Sequence, residues 1–96
     1  MYTREEVLKT LSSLKPYLSE KYSVTELALF GSYSRNEQTE ESDIDVMVDL
    51  EKPIGMRFLR LIEDIEMRFK KDVQVVGKKA IRPRYYEAIQ SDLIHV

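Results

Sequence analysis

The segment from Asp43 to Leu50 constrains the fold of this chain most strongly, because polar and apolar residues alternate along it. Branched apolar side chains fall on one face of an extended chain, and aspartates dominate the other face. The first set is Ile44, Val46 and Val48, and the second set is Asp43, Asp45, Met47 and Asp49. This period of two predicts a β-strand whose two faces differ in polarity.

The flanking segments predict helices and further strands. A capping box at Thr3–Glu6 and leucines at helical spacing predict a first helix through about Leu18, in which Pro16 is expected to kink or shorten the last turns. The remaining predicted elements are a strand at 24–30, a turn entering a short helix at 32–37, a helix at 56–69, a strand at 72–76, a helix at 81–89 and a last short strand at 92–96. Together they predict one compact α/β domain over residues 1–96, without a linker or a repeat.

Composition and charge exclude several classes of protein. With 43% apolar and 33% charged residues, the chain is typical of a soluble globular protein and not of a disordered one. With a formal net charge of −2, the surface as a whole does not attract nucleic acid. The absence of cysteine excludes disulfides and thiolate metal sites, and no stretch has the pattern of a signal peptide or a membrane span. A cytoplasmic protein is therefore expected.

Asp43 and Asp45 are the first candidates for chemistry. They lie two residues apart on the predicted strand, so both carboxylates leave the same face, with Cα atoms about 6.5 Å apart. Such a pair is costly to hold together unless a cation neutralises it. Mg²⁺ suits this pair, because it takes oxygen ligands and retains waters and substrate phosphates. An isolated Asp-x-Asp is more often a pair of solvated residues, so the pattern indicates a metal site only in combination with neighbouring residues.

Gly31 and Ser32 lie at the end of the preceding predicted strand. Glycine lets a phosphate approach the backbone closely, the amides of a following helical turn favour an anion, and Ser32 adds a hydroxyl donor. Arg35, one turn onward, suits a phosphate or a carboxylate. Each feature alone also fits an ordinary turn or a solvated charge. Together, a phosphate-binding turn and a metal-binding carboxylate pair on neighbouring strands predict phosphoryl or nucleotidyl transfer.

The spacing of these residues resembles a known signature. Gly31-Ser32, ten further residues and then Asp43-x-Asp45 resemble the motif of the DNA polymerase β-like nucleotidyltransferase superfamily. The whole string, with Arg35 and Ser42-Asp43-Ile44-Asp45, resembles the smallest members, the minimal nucleotidyltransferase (MNT) or MntA-like domain proteins. The resemblance implies the polymerase β-like nucleotidyltransferase fold, an α+β arrangement with a small mixed sheet flanked by helices.

The resemblance also implies an activity, ligands and a partner. Family members transfer a nucleoside monophosphate from a triphosphate, here ATP or another NTP, to a hydroxyl group. Mg²⁺, with Mn²⁺ as an alternative, is expected at Asp43 and Asp45. The implied nucleotide-binding residues are Gly31, Ser32, Arg35 and Ser42. MNT proteins are commonly paired with a helical HEPN-domain ribonuclease toxin, which they neutralise by adenylylating a tyrosine, so a homodimer or a complex with such a partner is expected.

One group of the family's site is missing from this sequence. Active members use a third carboxylate on the strand after the long helix, and the alignment of Ile81-Arg82-Pro83-Arg84 with the downstream motif places Gln74 there. An amide cannot act as a base, and it binds Mg²⁺ poorly. Asp72, two residues earlier on the same face, is the candidate replacement as the third catalytic carboxylate. Asn36 stands where the family has glycine, and asparagine tolerates left-handed backbone.

Three functions remain open at this point. The first is a Mg²⁺-dependent transferase acting on a hydroxyl of a protein partner. The second, favoured by Gln74, is an antitoxin with impaired catalysis that binds nucleotide and acts by stoichiometric association. The third is an RNA-binding accessory subunit that uses a basic cluster, which equally suits a triphosphate tail, an acidic partner or a solvated rim. That cluster comprises Lys70, Lys71, Lys78, Lys79, Arg82 and Arg84.

Overall fold

The strand predicted from the alternation, β2 (Ile44–Leu50), lies between two other strands of a sheet in the computed structural model, which describes residues 1–96. β1 (Val24–Phe30) runs antiparallel to it, and β3 (Val73–Gly77) runs parallel to it. β4 (Ile94–His95) pairs with the other edge of β1 in antiparallel orientation. The sheet order is β3-β2-β1-β4, so the sheet is mixed, as the resemblance implied.

Three helices connect and cover the strands. α1 (Arg4–Tyr22) precedes β1, α2 (Arg57–Phe69) connects β2 to β3, and α3 (Pro83–Gln90) precedes β4. A short 3-10 turn at Lys78–Ala80 follows β3. None of the helices combines the length and the apolar character that crossing a membrane requires. The observed order follows the predicted one except between β1 and β2, where no helix forms.

The two faces of β2 pack against different helices. Its alternating branched residues are fully buried in a core of 16 side chains, together with apolar residues of α1 and α2. Met47, on the opposite face, packs in a smaller cluster that includes Ile89 of α3. Burial of one such side chain stabilises the fold by about 1.5–3 kcal/mol. The apolar face therefore fixes which side of β2 is covered by α1 and α2, and the aspartates emerge on the side of α3.

The prediction that Pro16 shortens the first helix was wrong. α1 continues through Pro16 to Tyr22. Leu18 and Tyr22, beyond the proline, are 0% and 1% exposed, and the Tyr22 hydroxyl donates a hydrogen bond of 2.5 Å to Asp64 of α2. A proline inside a helix costs about 3 kcal/mol. Tertiary packing of the last two turns offsets that cost, which local sequence does not reveal.

The prediction of a short helix at 32–37 was also wrong. Residues 31–36 form successive turns between two left-handed residues, Gly31 with φ +79° and Asn36 with φ 62°. Left-handed residues at both ends leave too few right-handed residues between them to continue a helix. The expectation that Asn36 accepts left-handed backbone is confirmed.

The strand directions bring the predicted site residues to one end of the sheet. Because β1 is antiparallel to β2 and β3 is parallel to it, the last residues of β1 lie beside the first residues of β2 and β3. Gly31 follows β1, Asp45 is the second residue of β2, and Gln74 is the second residue of β3. The topology therefore places the turn, the aspartates and Gln74 next to one another.

Candidate active site

Asp43 and Asp45 form a carboxylate pair without a cation. Asp45 is half-buried and lies in the sheet between Phe30 of β1 and Gln74 of β3, whereas Asp43, one residue before β2, is exposed. Neither carboxylate forms an ion pair within the chain. Burial and repulsion from Asp43 raise the pKa of Asp45, and the charge of Arg35 acts in the opposite direction. Two carboxylates held together without compensation favour the binding of a cation.

Gly31 allows the Asp45 carboxylate to lie directly against the backbone. Its φ of +79° is a conformation that glycine adopts without strain. A Cβ atom at this position would lie 3.0 Å from Cγ and 3.2 Å from Cβ of Asp45, and it would overlap the carboxylate oxygen Oδ2. The position therefore requires glycine for two reasons, the backbone conformation and the contact with Asp45.

The turn after Gly31 presents free backbone amides. The amide of Arg35 donates to the carbonyl of Gly31 at 3.1 Å, and the amide of Glu37 donates to the carbonyl of Ser32 at 2.9 Å, as in a single turn of helix. The three amides within this turn donate no backbone hydrogen bond; they belong to Ser32, Tyr33 and Ser34. Tyr33 and Ser34 are 1% and 6% exposed, whereas Ser32 is partly exposed, so the Ser32 amide is the accessible donor for an anion at this turn.

The carboxylate pair of Asp43 and Asp45 and the turn after Gly31 together fit a metal-bound nucleoside triphosphate. Asp43 and Asp45 offer carboxylate oxygens, which are the ligands that Mg²⁺ prefers, and Mn²⁺ accepts the same donors. The amide and the hydroxyl of Ser32 offer hydrogen-bond donors to phosphate oxygens. A magnesium ion held by only two carboxylates completes its shell with water and phosphate. The raised pKa of Asp45, which reflects repulsion from Asp43 that Arg35 offsets only in part, is consistent with that use.

Arg35 has partners of its own in the structure. Its guanidinium donates to Glu37 at 2.9 Å and to Asp92 at 2.5 Å, and the Asp92 side chain is only 15% exposed. The same positive charge is close enough to lower the pKa of Asp45 against the effect of burial. Arg35 therefore anchors the turn to the segment before β4 and contributes positive potential to the carboxylate pair.

Ser42 and Asp72 lie near the pair, and each has a local role. The Ser42 hydroxyl oxygen accepts a hydrogen bond from the Thr39 amide at 2.9 Å, which closes the turn that leads into β2. Asp72 is exposed just before β3, and its carbonyl accepts a hydrogen bond from the Ile44 amide at 3.2 Å. No three acidic or histidine side chains of the chain come together as a metal-binding group. The third carboxylate role of Asp72 thus stays a prediction.

Gln74 lies directly beside Asp45. The parallel register between β2 and β3 pairs these two residues, and the side chain of Gln74 is exposed. An amide at this position can orient a hydroxyl group by hydrogen bonding, but it cannot take a proton. The position opposite the phosphate-binding turn is therefore occupied by a group without basicity.

Two residues that support the site were missed in the sequence. Asp92 accepts the ion pair from Arg35, and its carbonyl accepts a hydrogen bond from the buried hydroxyl of Ser34. Both contacts join residues more than fifty positions apart. No local pattern signals such a pairing, since it depends on β4 lying against β1.

Known proteins resemble this chain over nearly its whole length. The nucleotidyltransferase domain family matches residues 11–95. A protein of Methanocaldococcus jannaschii that carries a provisional designation as a protein adenylyltransferase is 43% identical over 100 residues, covering 100% of both chains. The protein adenylyltransferase MntA of Thermococcus cleftensis is 33% identical over 97 residues, covering 100% of this chain and 98% of the relative.

Two solved structures share the fold. One, described provisionally as a minimal nucleotidyltransferase, superimposes with a TM-score of 0.81 at 23% identity over 97% of this chain and 95% of its own. The other is a mutant of the MntA–HpeT toxin–antitoxin, with a TM-score of 0.70 at 18% identity over 98% of this chain and 72% of its own. The fold predicted from the resemblance is confirmed. Given the family match over most of its length and relatives that align from end to end, the chain belongs to the nucleotidyltransferase domain family, within the minimal, MntA-like protein adenylyltransferases.

Proposed function

We propose that this chain transfers AMP from ATP to a hydroxyl group of a helical HEPN-type toxin in a Mg²⁺-dependent reaction, and so acts as an antitoxin. The observation that carries the proposal is the uncompensated pair Asp43 and Asp45 next to the free amides that follow Gly31. The relatives named as protein adenylyltransferases and the fold shared with the MntA of a toxin–antitoxin support the choice of a protein acceptor.

The proposed reaction is an in-line displacement at the α-phosphorus. The acceptor hydroxyl oxygen forms a bond to the α-phosphorus, the bond to the bridging oxygen of pyrophosphate breaks, and the hydroxyl proton leaves to water. The amide and hydroxyl of Ser32 would hold a phosphate, and Asp43 and Asp45 would hold the metal. Bound Mg²⁺ supplies charge neutralisation at the phosphate oxygens. Arg35 keeps the turn in place through Asp92.

Label transfer from α-phosphate-labelled ATP to proteins of the source cells tests this proposal. Asp45→Asn should abolish the Mg²⁺-dependent label. Asp49→Asn is the matched control, because Asp49 lies on the same face of β2 but pairs with Lys79 at 3.3 Å. The control should label as the wild type does. Equal labelling by wild type and the Asp45 variant contradicts the proposed chemistry.

Gln74 supports a second candidate function. Without a base beside Asp45, the rate loses a contribution of about 10²–10⁴-fold. The chain could then neutralise its toxin by stoichiometric binding alone. If this second function holds, a variant with both Asp43→Asn and Asp45→Asn still protects cells that express the toxin. Under the transferase proposal the double variant fails to protect, and Gln74→Asp increases label transfer by about 10²-fold.

A further inference from the structure

The strand order determines the side from which an acceptor reaches the site. In an in-line displacement the nucleophile arrives opposite the leaving group. The phosphate-binding turn follows β1, on one side of β2, so pyrophosphate leaves on that side. Asp45 on β2 has Gln74 of β3 as its neighbour on the other side. If the proposed function is correct, the acceptor hydroxyl therefore approaches from the side of β3.

A groove lies on that side of the carboxylate pair. It has a volume of about 410 Å³, and its lining includes Gln74, Val76, Ile81, Arg82 and Tyr85. No carboxylate lines it. Tyr85 is 40% exposed, and its ring stands edge-on against Phe30 at 6.3 Å between centroids, which fixes the ring at the groove. A wall of aliphatic and aromatic groups beside an amide suits an amino-acid side chain better than a polyphosphate.

The basic cluster divides into paired and free cations. Lys71 donates to the Glu40 carbonyl at 3.2 Å, and two further lysines are engaged by carboxylates, Lys78 by Glu26 at 3.0 Å and Lys79 by Asp49 at 3.3 Å. The other members form no ion pair within the chain; they are Lys70, Arg82 and Arg84. Of these, Arg82 lines the groove at the N-cap of α3, and Arg84 lies two residues further along the helix, outside the lining.

We propose that the groove and these two arginines dock an acidic segment of the acceptor protein, whose hydroxyl residue enters beside Gln74. Free guanidinium groups bind carboxylates in bidentate fashion, which gives the charge complementarity for such a segment. Gln74 on β3 lies two strand spacings, about 10 Å, from the end of β1 that leads into the turn proposed to hold the triphosphate. RNA is disfavoured by the net charge of −2 and by the exposed Asp43.

Short synthetic peptides with one tyrosine test the docking surface. The tyrosine is flanked by glutamates in the first peptide and by glutamines in the second, and both serve as acceptors with labelled ATP. The KM for the acidic peptide should be about tenfold lower, and that advantage should shrink at high salt. The double variant Arg82→Gln/Arg84→Gln should remove the difference and leave the affinity for ATP unchanged. The control double variant Lys52→Gln/Arg60→Gln removes two exposed charges elsewhere and should retain the difference.

Three results would overturn the docking proposal. Equal KM values for the two peptides mean that acidity is not recognised. A weakened affinity for ATP in the arginine variant assigns the arginines to the nucleotide. Competition by single-stranded RNA at the concentration of the acidic peptide assigns the groove to RNA. If no peptide is labelled, the anisotropy of the fluorescent peptides tests docking by itself. An arginine-dependent preference for the acidic peptide supports docking, and the lack of a preference overturns it; the proposed transferase function is tested separately by label transfer to cellular proteins.

Discussion

Replacement of Gly31 by alanine tests the central feature of the site. The substitution adds one methyl group at a residue with φ of +79°, and that methyl would overlap the Asp45 carboxylate. The Asp45 side chain has to turn away, because the added atom is fixed to the backbone directly after β1, whereas the carboxylate can rotate. We therefore expect a loss of stability together with a displacement of the Asp45 carboxylate.

The loss of stability expected for Gly31→Ala has two contributions. A left-handed backbone costs a residue with a Cβ atom about 1–2 kcal/mol. A side chain forced from its rotamer costs about 0.5–1.5 kcal/mol more. The sum is about 1.5–3.5 kcal/mol, which for a domain of this size lowers the Tm by about 6–28 °C. Gly55→Ala is the matched control, because Gly55 has φ of +57° and no atom within 4 Å of the added Cβ. It should lose only the backbone contribution, about 1–2 kcal/mol.

Denaturant unfolding and ATP binding in the presence of Mg²⁺ measure the two effects. Gly31→Ala should be less stable than Gly55→Ala and should bind ATP about tenfold more weakly or worse, because a shift of the carboxylate of about 1 Å disturbs the site strongly. Gly55→Ala should bind ATP as the wild type does. Equal stability of the two variants, with normal ATP binding in both, would refute the close contact between Gly31 and Asp45.

Two further predictions concern pH. Burial and repulsion from Asp43 raise the pKa of Asp45, so the ionised carboxylate destabilises the fold. Asp45→Asn should therefore raise the Tm by a few degrees at neutral pH. This gain in Tm should vanish as the pH falls through the raised pKa of Asp45. A lower Tm of this variant at neutral pH contradicts the argument. Burial alone would raise the pKa of Glu26, but hydrogen bonds from His95 at 2.5 Å and Lys78 at 3.0 Å lower it. Its stabilisation is therefore present above the ordinary value of 4.5 and is lost as pH falls through the lowered pKa. Glu26→Gln should cost about 1 kcal/mol at neutral pH and little in acid, and a cost independent of pH is inconsistent with this reasoning.

Features that depend on a few adjacent residues could be predicted from the sequence. The alternation of apolar residues predicted β2 and its buried face, because the period of two is a local property of a strand. The capping box predicted the start of α1, since Thr3 and Glu6 bond each other's backbone amides. The spacing of Asp43 and Asp45 predicted two neighbouring carboxylates; Asp43 lies one residue before β2 and is close enough to raise the pKa of Asp45.

Features that depend on tertiary contacts could not be predicted. The continuation of α1 beyond Pro16 rests on packing against α2, and the ion pair between Arg35 and Asp92 joins residues 57 positions apart. The contact between Gly31 and Asp45 requires the antiparallel pairing of β1 with β2. The position of Gln74 came from resemblance to a family, and the register that places it beside Asp45 follows only from the parallel pairing of β2 with β3.

The stability of the fold and the affinity for ligand are opposed at this site. Burial of Asp45 and its repulsion from Asp43 oppose ionisation of this carboxylate in the chain by itself, and this lowers the stability of the fold at neutral pH. If the proposed function is correct, nucleotide with Mg²⁺ relieves this repulsion on binding. A ligand at 100 times its dissociation constant stabilises a folded protein by about 2.7 kcal/mol, which is a large share of the stability of a domain of this size. A site in which this repulsion was compensated within the chain would stabilise the fold and weaken the proposed binding of nucleotide and Mg²⁺.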